Sequence, residues 1–511
     1  VTTRCIIRLT APLALALGVL LQGCAREEPE PPPPAAPVRE SFHAHKPLRL
    51  EVLIAPSAAE NASIDLRWFE RELRHLLRRG QLRLASETAN DSAFDLQVEF
   101  MGDGKQLELR LIAPDEHVER TRLVVLPQST RLATISQLAK SLPEFLETPA
   151  SQDWHEFVGT SDERVYESYL RGAAELYGAT AQGVTRPGTT RALTRTVERL
   201  EALTRAQPRF ARAWSALAVG YLSLGGEDLA SLTDLAESSA ERALRLDNDL
   251  ADAHAALGLV RLRRQDWIAA QDKFEWALAL DPDMPVALEG LACLDVDAGL
   301  YREALPFARR AVALQPRNAG AHECLTYAQL TEADAASARG TAGAPSEGVE
   351  NAANVPPVAT RVHGLLAVLA GDHATAERLL RSSMSRAEFH AWGAPCLRAA
   401  NNRRLVPEAL RAITRAANDG LIDAATQILC GAALREPDFV FNRIERLQKD
   451  AAHLPLRILW LPQADFLRKH PRFETAVSKA GLPAFWHSNG APNVCAQEPD
   501  IYGCDSKRDR R

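Results

Sequence analysis

The sequence predicts a mainly α-helical protein: an α-solenoid of paired helices, preceded by a small α/β module and a disordered Pro-rich linker. Two observations carry this expectation. Between residues 48 and 148 apolar side chains alternate in twos, and from Arg164 onward Ala-rich helical segments recur with a 34-residue period. Composition agrees, with 46% hydrophobic and 25% charged residues over 511 positions, an ordinary globular balance. The formal net charge of −6 argues against a nucleic-acid partner, because phosphate contacts need a basic surface.

The first elements are segments for export. Arg4 and Arg8 precede an apolar stretch, Leu9 to Leu21, which suits a signal peptide over residues 1–23 and is too short to span a bilayer. It ends in Leu21-Gln22-Gly23-Cys24, which resembles the lipobox of bacterial lipoproteins. That resemblance implies cleavage before Cys24, a diacylglyceryl group on its thiol, and attachment to the membrane through the lipid. Ala25 stands where lipoproteins kept in the inner membrane often carry Asp. By the same resemblance the expected location is the periplasmic side of the envelope, at the outer membrane. Residues 24–47 then form a linker stiffened by Pro29 and Pro31 to Pro34.

Residues 48–148 read as the α/β module. Leu48–Ala55 predicts a strand, and Ser63 caps a helix with the stripe Trp68, Phe69, Leu73, Leu76 and Leu77, stopped by Gly80. Phe94, Leu96, Val98 and Phe100 alternate with polar residues, as do Leu107, Leu109 and Leu111 after Gly102-Asp103-Gly104. That pattern is a half-buried hairpin. Val118–Leu126 adds a strand and Thr130–Leu146 a closing helix. Helices on one face of a mainly antiparallel sheet bury both apolar sets.

The repeat array follows over residues 160–331. Ala270, Ala277 and Pro282 recur as Ala304, Ala311 and Pro316, and Leu257 recurs as Leu291 and Leu325, always 34 residues on. With Gly258, Trp267 and Phe274 this is the tetratricopeptide (TPR) signature. Small residues let paired helices approach, and the proline starts the next pair. An earlier unit carries Trp214, Leu217 and Tyr221, then Ala236, Ala240 and Ala243 after an insertion. Residues 332–356, rich in Ala, Gly, Ser and Glu, read as a flexible insertion. Degenerate TPR-like helices are expected over 357–485, and a C-terminal tail over 486–511.

Three segments carry a wider resemblance: Tyr166-Glu167-Ser168-Tyr169-Leu170-Arg171-Gly172, the Ala251–Trp267 repeat, and a tail. The tail runs Leu467-Arg468-Lys469-His470-Pro471-Arg472-Phe473, Gly481-Leu482-Pro483, Phe485-Trp486, Gly490, Pro492 and Cys495. Together they resemble the C-terminal sensory half of bacterial adenylate-cyclase-type and winged-helix-activator-type TPR proteins. The α/β module departs from that pattern: Pro56 is followed by Ser57 where those families have Phe, and only Thr88–Ser92 separates its strands.

Chemical motifs are scarce. No P-loop, HExxH or GxSxG motif occurs in the sequence, so the expectation is a non-enzyme with no cofactor or metal. His254 and His322 are expected as packing residues, and Asp247, Asp249 and Asp252 as helix-capping groups rather than a calcium loop. The concave face of a TPR array is the expected site for a protein or peptide partner. Its positions give Arg212, Ser215, Asp252, Arg263, Glu289, Asp297 and Glu323 as the candidate groove residues, with Cys293 and Tyr327 beside them. Cys495 and Cys504 are the expected local disulfide, though Cys495 with a more distant cysteine is a competing pairing. Cys293 with Cys324, and Cys396 with Cys430, could pair or could lie buried as small apolar groups. The expected function is a lipid-anchored envelope scaffold. The alternatives are a ligand-sensing signalling lipoprotein and an envelope enzyme with its site in the α/β module.

Overall fold

The computed structural model describes residues 48–54, 66–79, 93–101, 106–113, 118–126, 130–147, 158–182, 187–224, 228–338, 356–449 and 453–504. The signal segment, Cys24, the Pro-rich linker, Ser63, Gly80 and most of the expected insertion lie outside them. Strands β1 (Leu48–Ile54), β2 (Phe94–Met101), β3 (Gln106–Ile112) and β4 (Val118–Val125) form one four-stranded sheet in that order. Helix α1 (Leu66–Arg79) lies between β1 and β2, and that crossover makes their pairing parallel, whereas β2–β3 and β3–β4 are antiparallel.

Register puts the alternating apolar residues on one face. Leu96 opposes Leu111, Val98 opposes Leu109 and Phe100 opposes Leu107, and all six are buried. Phe69 of α1 meets Phe100 edge-on, centroids 4.7 Å apart. Helix α2 (Arg131–Leu146) is capped by Thr130, whose hydroxyl accepts from the Ala133 amide at 3.2 Å. The other face is polar where it is paired: Arg49 donates to Asp95 at 2.6 Å and Gln97 to Glu51 at 2.8 Å.

Helices α3 (Glu163–Gln182) and α4 (Pro187–Ala206) begin a series of antiparallel pairs: α5 (Ala211–Ser223) with α6 (Leu229–Leu246), α7 (Ala251–Arg263) with α8 (Trp267–Leu280), and α9 (Pro285–Ala298) with α10 (Tyr301–Leu314). Phe274 of α8 shows why the period carries glycines. A Cβ added at Gly258 of α7 would lie 2.5 Å from the Phe274 ring, and one at Gly290 of α9 would lie 2.4 Å from it. One aromatic ring therefore seats two neighbouring helices, and only glycine leaves it room. His254 and His322 are half-buried, each with Nε2 2.9 Å from a carbonyl of the preceding turn, Asn248 O and Pro316 O. They tie turn to helix rather than merely packing.

Helix α11 (Ala319–Ala338) runs past Glu332, where the sequence reading ended the array. Pairing resumes with α12 (Pro357–Ala370) and α13 (His373–Ser383). Then come α14 (Ala394–Asn401), entered through a π turn at Phe389–Gly393, α15 (Val406–Asn418), α16 (Ala424–Ala433) and α17 (Pro437–Lys449). A 3₁₀ turn, Leu456–Trp460, leads to α18 (Arg472–Lys479) and α19 (Leu482–Asn489). The series curls enough for α3 to touch α11, and the Leu456–Trp460 turn packs on α9. The chain is thus mainly helical and solenoid-like, with a small sheet near its N-terminal region. One apolar core joins the sheet to α3–α7, and another runs from α7 to the tail.

Candidate functional site

The expected groove lies on α5, α7, α9 and α11, and other parts of the chain already occupy it. At its start Arg212 of α5 makes a two-pronged ion pair with Glu72 of α1, with Nη1 donating to Oε2 at 2.6 Å. Tyr166 also donates to Glu72 Oε2, at 2.7 Å, and the Arg212 guanidinium lies 5.0 Å from the Tyr169 ring centroid. Burial alone would lower the Arg212 pKa, but Glu72 and the neighbouring tyrosines hold it above its ordinary value. Two residues further along α1, Arg74 Nη1 lies 3.5 Å from Asp283, which also accepts from Arg310 at 2.7 Å. Helix α1 thereby docks the sheet module against two repeats.

At the centre the occupant is Arg457, from the Leu456–Trp460 turn. Its Nε donates to Asp297 Oδ1 at 2.8 Å, its Nη2 to Oδ2 at 2.7 Å, and its own backbone amide to Oδ1 at 2.9 Å. Nη1 lies 3.4 Å from Glu323 and donates to Cys324 Sγ at 3.0 Å. His453 Nε2 stands 3.3 Å from Asp297 Oδ2, and Asn318 donates to Glu289 at 2.7 Å. Planar bidentate pairing of this kind fixes orientation as well as charge.

The electrostatics follow from one buried cation among several acids. Burial pushes Asp297 up, but Arg457 and His453 outweigh it and leave its pKa lowered. Burial pushes Arg457 down, and Asp297 with Glu323 reverses that, leaving it raised. Glu323 is the loser: burial, only partly offset by Arg457, pushes it up to about 7. Burial likewise raises Glu289, against its Asn318 hydrogen bond.

A folded pKa above the usual 4.5 means that Glu323 favours folding while protonated in both states, and that this contribution is lost as pH rises from about 4.5 to about 7. Glu323→Gln removes the titration. Relative to wild type, the variant is expected to gain stability between pH 5 and pH 8, by at most roughly 3 kcal/mol. Urea unfolding at the two pH values measures this, and parallel stability profiles for the two proteins would contradict it.

The tail completes the closure. Trp460 Nε1 donates to Asp297 O at 2.7 Å, Trp486 Nε1 to Ala298 O at 2.8 Å, and the Asn493 amide to Gly299 O at 2.9 Å. Carbonyls at the C-terminal end of α9, which lack helical partners, are satisfied by the tail. Arg468 donates from Nη1 to Leu459 O and Leu461 O, at 2.7 Å each, and pairs with Glu498. Of the tail residues singled out in the sequence, Arg468 and Trp486 thus hold the tail in place. Cys495 and Cys504 are joined in a disulfide, Cα atoms 5.3 Å apart. Gly503, with φ near +95°, turns the chain beneath Trp486, whose ring would lie 2.4 Å from an added Cβ.

The candidate groove residues differ in exposure, and three of them are closed to solvent. Arg212, Ser215 and Asp297 are buried, with relative exposures of 5%, 1% and 0%, and cannot meet a partner. Glu289 and Glu323 are half-buried and turned to Asn318 and Arg457. Arg263 is half-buried and donates inward to Leu222 O and, at 3.5 Å, to Thr233 Oγ1. Asp252 is half-buried in the first turn of α7. For Arg212, Asp297 and Glu323 the physical reason is that the chain brings its own complementary charges, Glu72 and Arg457, to the face that was expected to await a partner. Cys293 and Cys324 are bonded, while Cys396 and Cys430 are buried free thiols.

Elsewhere, an open cleft of about 570 Å³ lies between Arg468–Glu474 and Gln497–Tyr502. Part of its charged lining is engaged, Arg468 with Glu498 and Lys469 with Asp465. Among the described residues no group of three or more His, Cys, Asp or Glu side chains is placed to hold a metal ion, and no helix is long and apolar enough to cross a membrane. No protein-family model matches the chain, and no curated protein is significantly similar to it.

Proposed function

We propose that the chain is a lipid-anchored envelope scaffold of the TPR type, tethered through Cys24, that holds a protein partner on its outer surface rather than in its concave groove. The TPR reading is supported by the 34-residue recurrence, which coincides with stacked helix pairs seated on Phe274 between Gly258 and Gly290. The observation that carries the outer-surface reading is Trp276. It lies on the second helix of its pair, 59% exposed, with its indole stacked on the His254 ring at 6.0 Å. Ile268 on the same helix is 40% exposed. A large aromatic held in place by a stacked neighbour is the kind of side chain that anchors protein interfaces.

The ligand-sensing and enzyme alternatives have less support. The described inner face of the module's sheet is filled by Leu96, Val98, Phe100, Leu107 and Leu109, and the paired outer face carries ion pairs such as Arg49–Asp95.

Two experiments test the proposal. Cys24→Ala is expected to abolish acylation and move the protein from the membrane fraction to a soluble or unprocessed form; unchanged fractionation contradicts the anchor. A photo-crosslinking residue at position 276, in cells, is expected to capture a discrete envelope protein that the same residue at Gln271 captures weakly. Equal capture at both positions, or none, contradicts the partner surface.

A further inference from the structure

The four cysteines of the helical region fall into two unlike pairs. Cys396 and Cys430 are free and fully buried. Cys293 of α9 and Cys324 of α11 form a disulfide that joins these two neighbouring helices. Its two sulfurs have different surroundings. Cys324 is fully buried, and the Arg457 guanidinium presents Nη1 to its Sγ at 3.0 Å. Cys293 is half-buried, nearer the solvent. The guanidinium is fixed in that position by its two-pronged pairing with Asp297.

Thiol–disulfide exchange depends on which sulfur the attacking thiolate can reach and on how readily the other departs. A fixed cation beside a cysteine favours the thiolate and makes it the better leaving group. Both factors select the same direction here. We propose that Cys293–Cys324 is a thiol–disulfide exchange site, opened by a dithiol reductant that attacks Cys293 and expels Cys324 as a thiolate held by Arg457.

The step balances. One thiolate of the reductant forms a bond to Cys293 Sγ while the Cys293–Cys324 bond breaks, and the bonding pair leaves on Cys324. The reductant's second thiol loses its proton and attacks its own sulfur in the mixed disulfide, releasing Cys293, which takes up a proton from water. The reductant ends as a disulfide, having supplied two electrons. The reduced protein keeps Asp297, Glu323 and the Cys324 thiolate around a single guanidinium, and the covalent tie between α9 and α11 is gone.

The test uses the folded full-length chain and a thioredoxin-type protein whose second active-site cysteine is replaced by serine, so that the mixed disulfide is trapped. Peptide mapping is expected to find the mixed disulfide on Cys293, with Cys324 a free thiol. A mixed disulfide on Cys324, on the Cys495–Cys504 pair alone, or nowhere overturns the proposal. A second measurement needs no protein reductant. In the dithiothreitol-reduced chain, the thiolate absorbance lost on Cys324→Ser is expected to titrate below the ordinary thiol value of about 8.5. Titration at or above that value overturns the proposal. Arg457→Met, if it folds, is expected to slow opening of the bond at least tenfold under limiting dithiothreitol, and equal or faster opening counts against Arg457.

Discussion

Arg457→Ala is expected to destabilise the folded chain by about 3–5 kcal/mol, because it leaves a buried carboxylate without its cation. Asp297 is fully buried, and three hydrogen bonds from Arg457 reach its two oxygens, one of them from the backbone. Removing the side chain also strips Glu323 and Cys324 Sγ of their common partner. The loss should be smaller in Asp297→Asn combined with Arg457→Met, where the buried Asp297 carboxylate is removed together with its cation. Urea denaturation of the wild type and the two variants gives the comparison. A single-variant loss below about 1 kcal/mol, the range of exposed ion pairs, contradicts the burial and pairing described here.

The second large effect is expected at the opposite end of the array. Glu72→Ala leaves Arg212 buried without a counter-charge and Tyr166 without the acceptor of its hydroxyl. A loss of about 3–5 kcal/mol is again expected, accompanied by release of the sheet module from α5. Limited proteolysis reads this directly: cleavage between the module and α3 should accelerate while α7–α10 stay intact. Unchanged cleavage there would show that the apolar contacts of Tyr169, Leu170 and Phe210 hold the module without the ion pair.

Much of the architecture was legible because its cause is periodic. Alternation at Phe94–Phe100 and Leu107–Leu111 dictated which face of β2 and β3 is buried, and the described strands agree within a residue or two. The small residue at 258 marked a close helix approach at Phe274, and those at 270 and 277 are fully buried. The parallel β1–β2 pair was missed, although a helix between two strands implies it. Occupation of the groove was missed for a different reason. Glu72 and Arg212 are 140 residues apart, and Asp297 and Arg457 are 160 apart, so no local pattern links them. A usable signal was nonetheless present: Arg457 interrupts the apolar run Leu454-Pro455-Leu456-Arg457-Ile458-Leu459-Trp460-Leu461. A guanidinium inside such a run must find an internal carboxylate. Asp297, between Val296 and Ala298 in an apolar helix, is the matching oddity. Assigning groove positions by repeat number treated such residues as solvent-facing because it took no account of the rest of the chain.

The face of α9 and α11 that carries Asp297 and Glu323 is an internal joint, closed by the chain's own Leu456–Leu461 segment. Amide hydrogen exchange of that segment in the intact protein tests it most directly. The Arg457 amide, donating to Asp297, is expected to exchange as slowly as the central amides of α9, through opening of the whole helical unit. Exchange of residues 456–461 at the rate of an unprotected loop, while α9 remains protected, would contradict the joint and return the groove to the solvent.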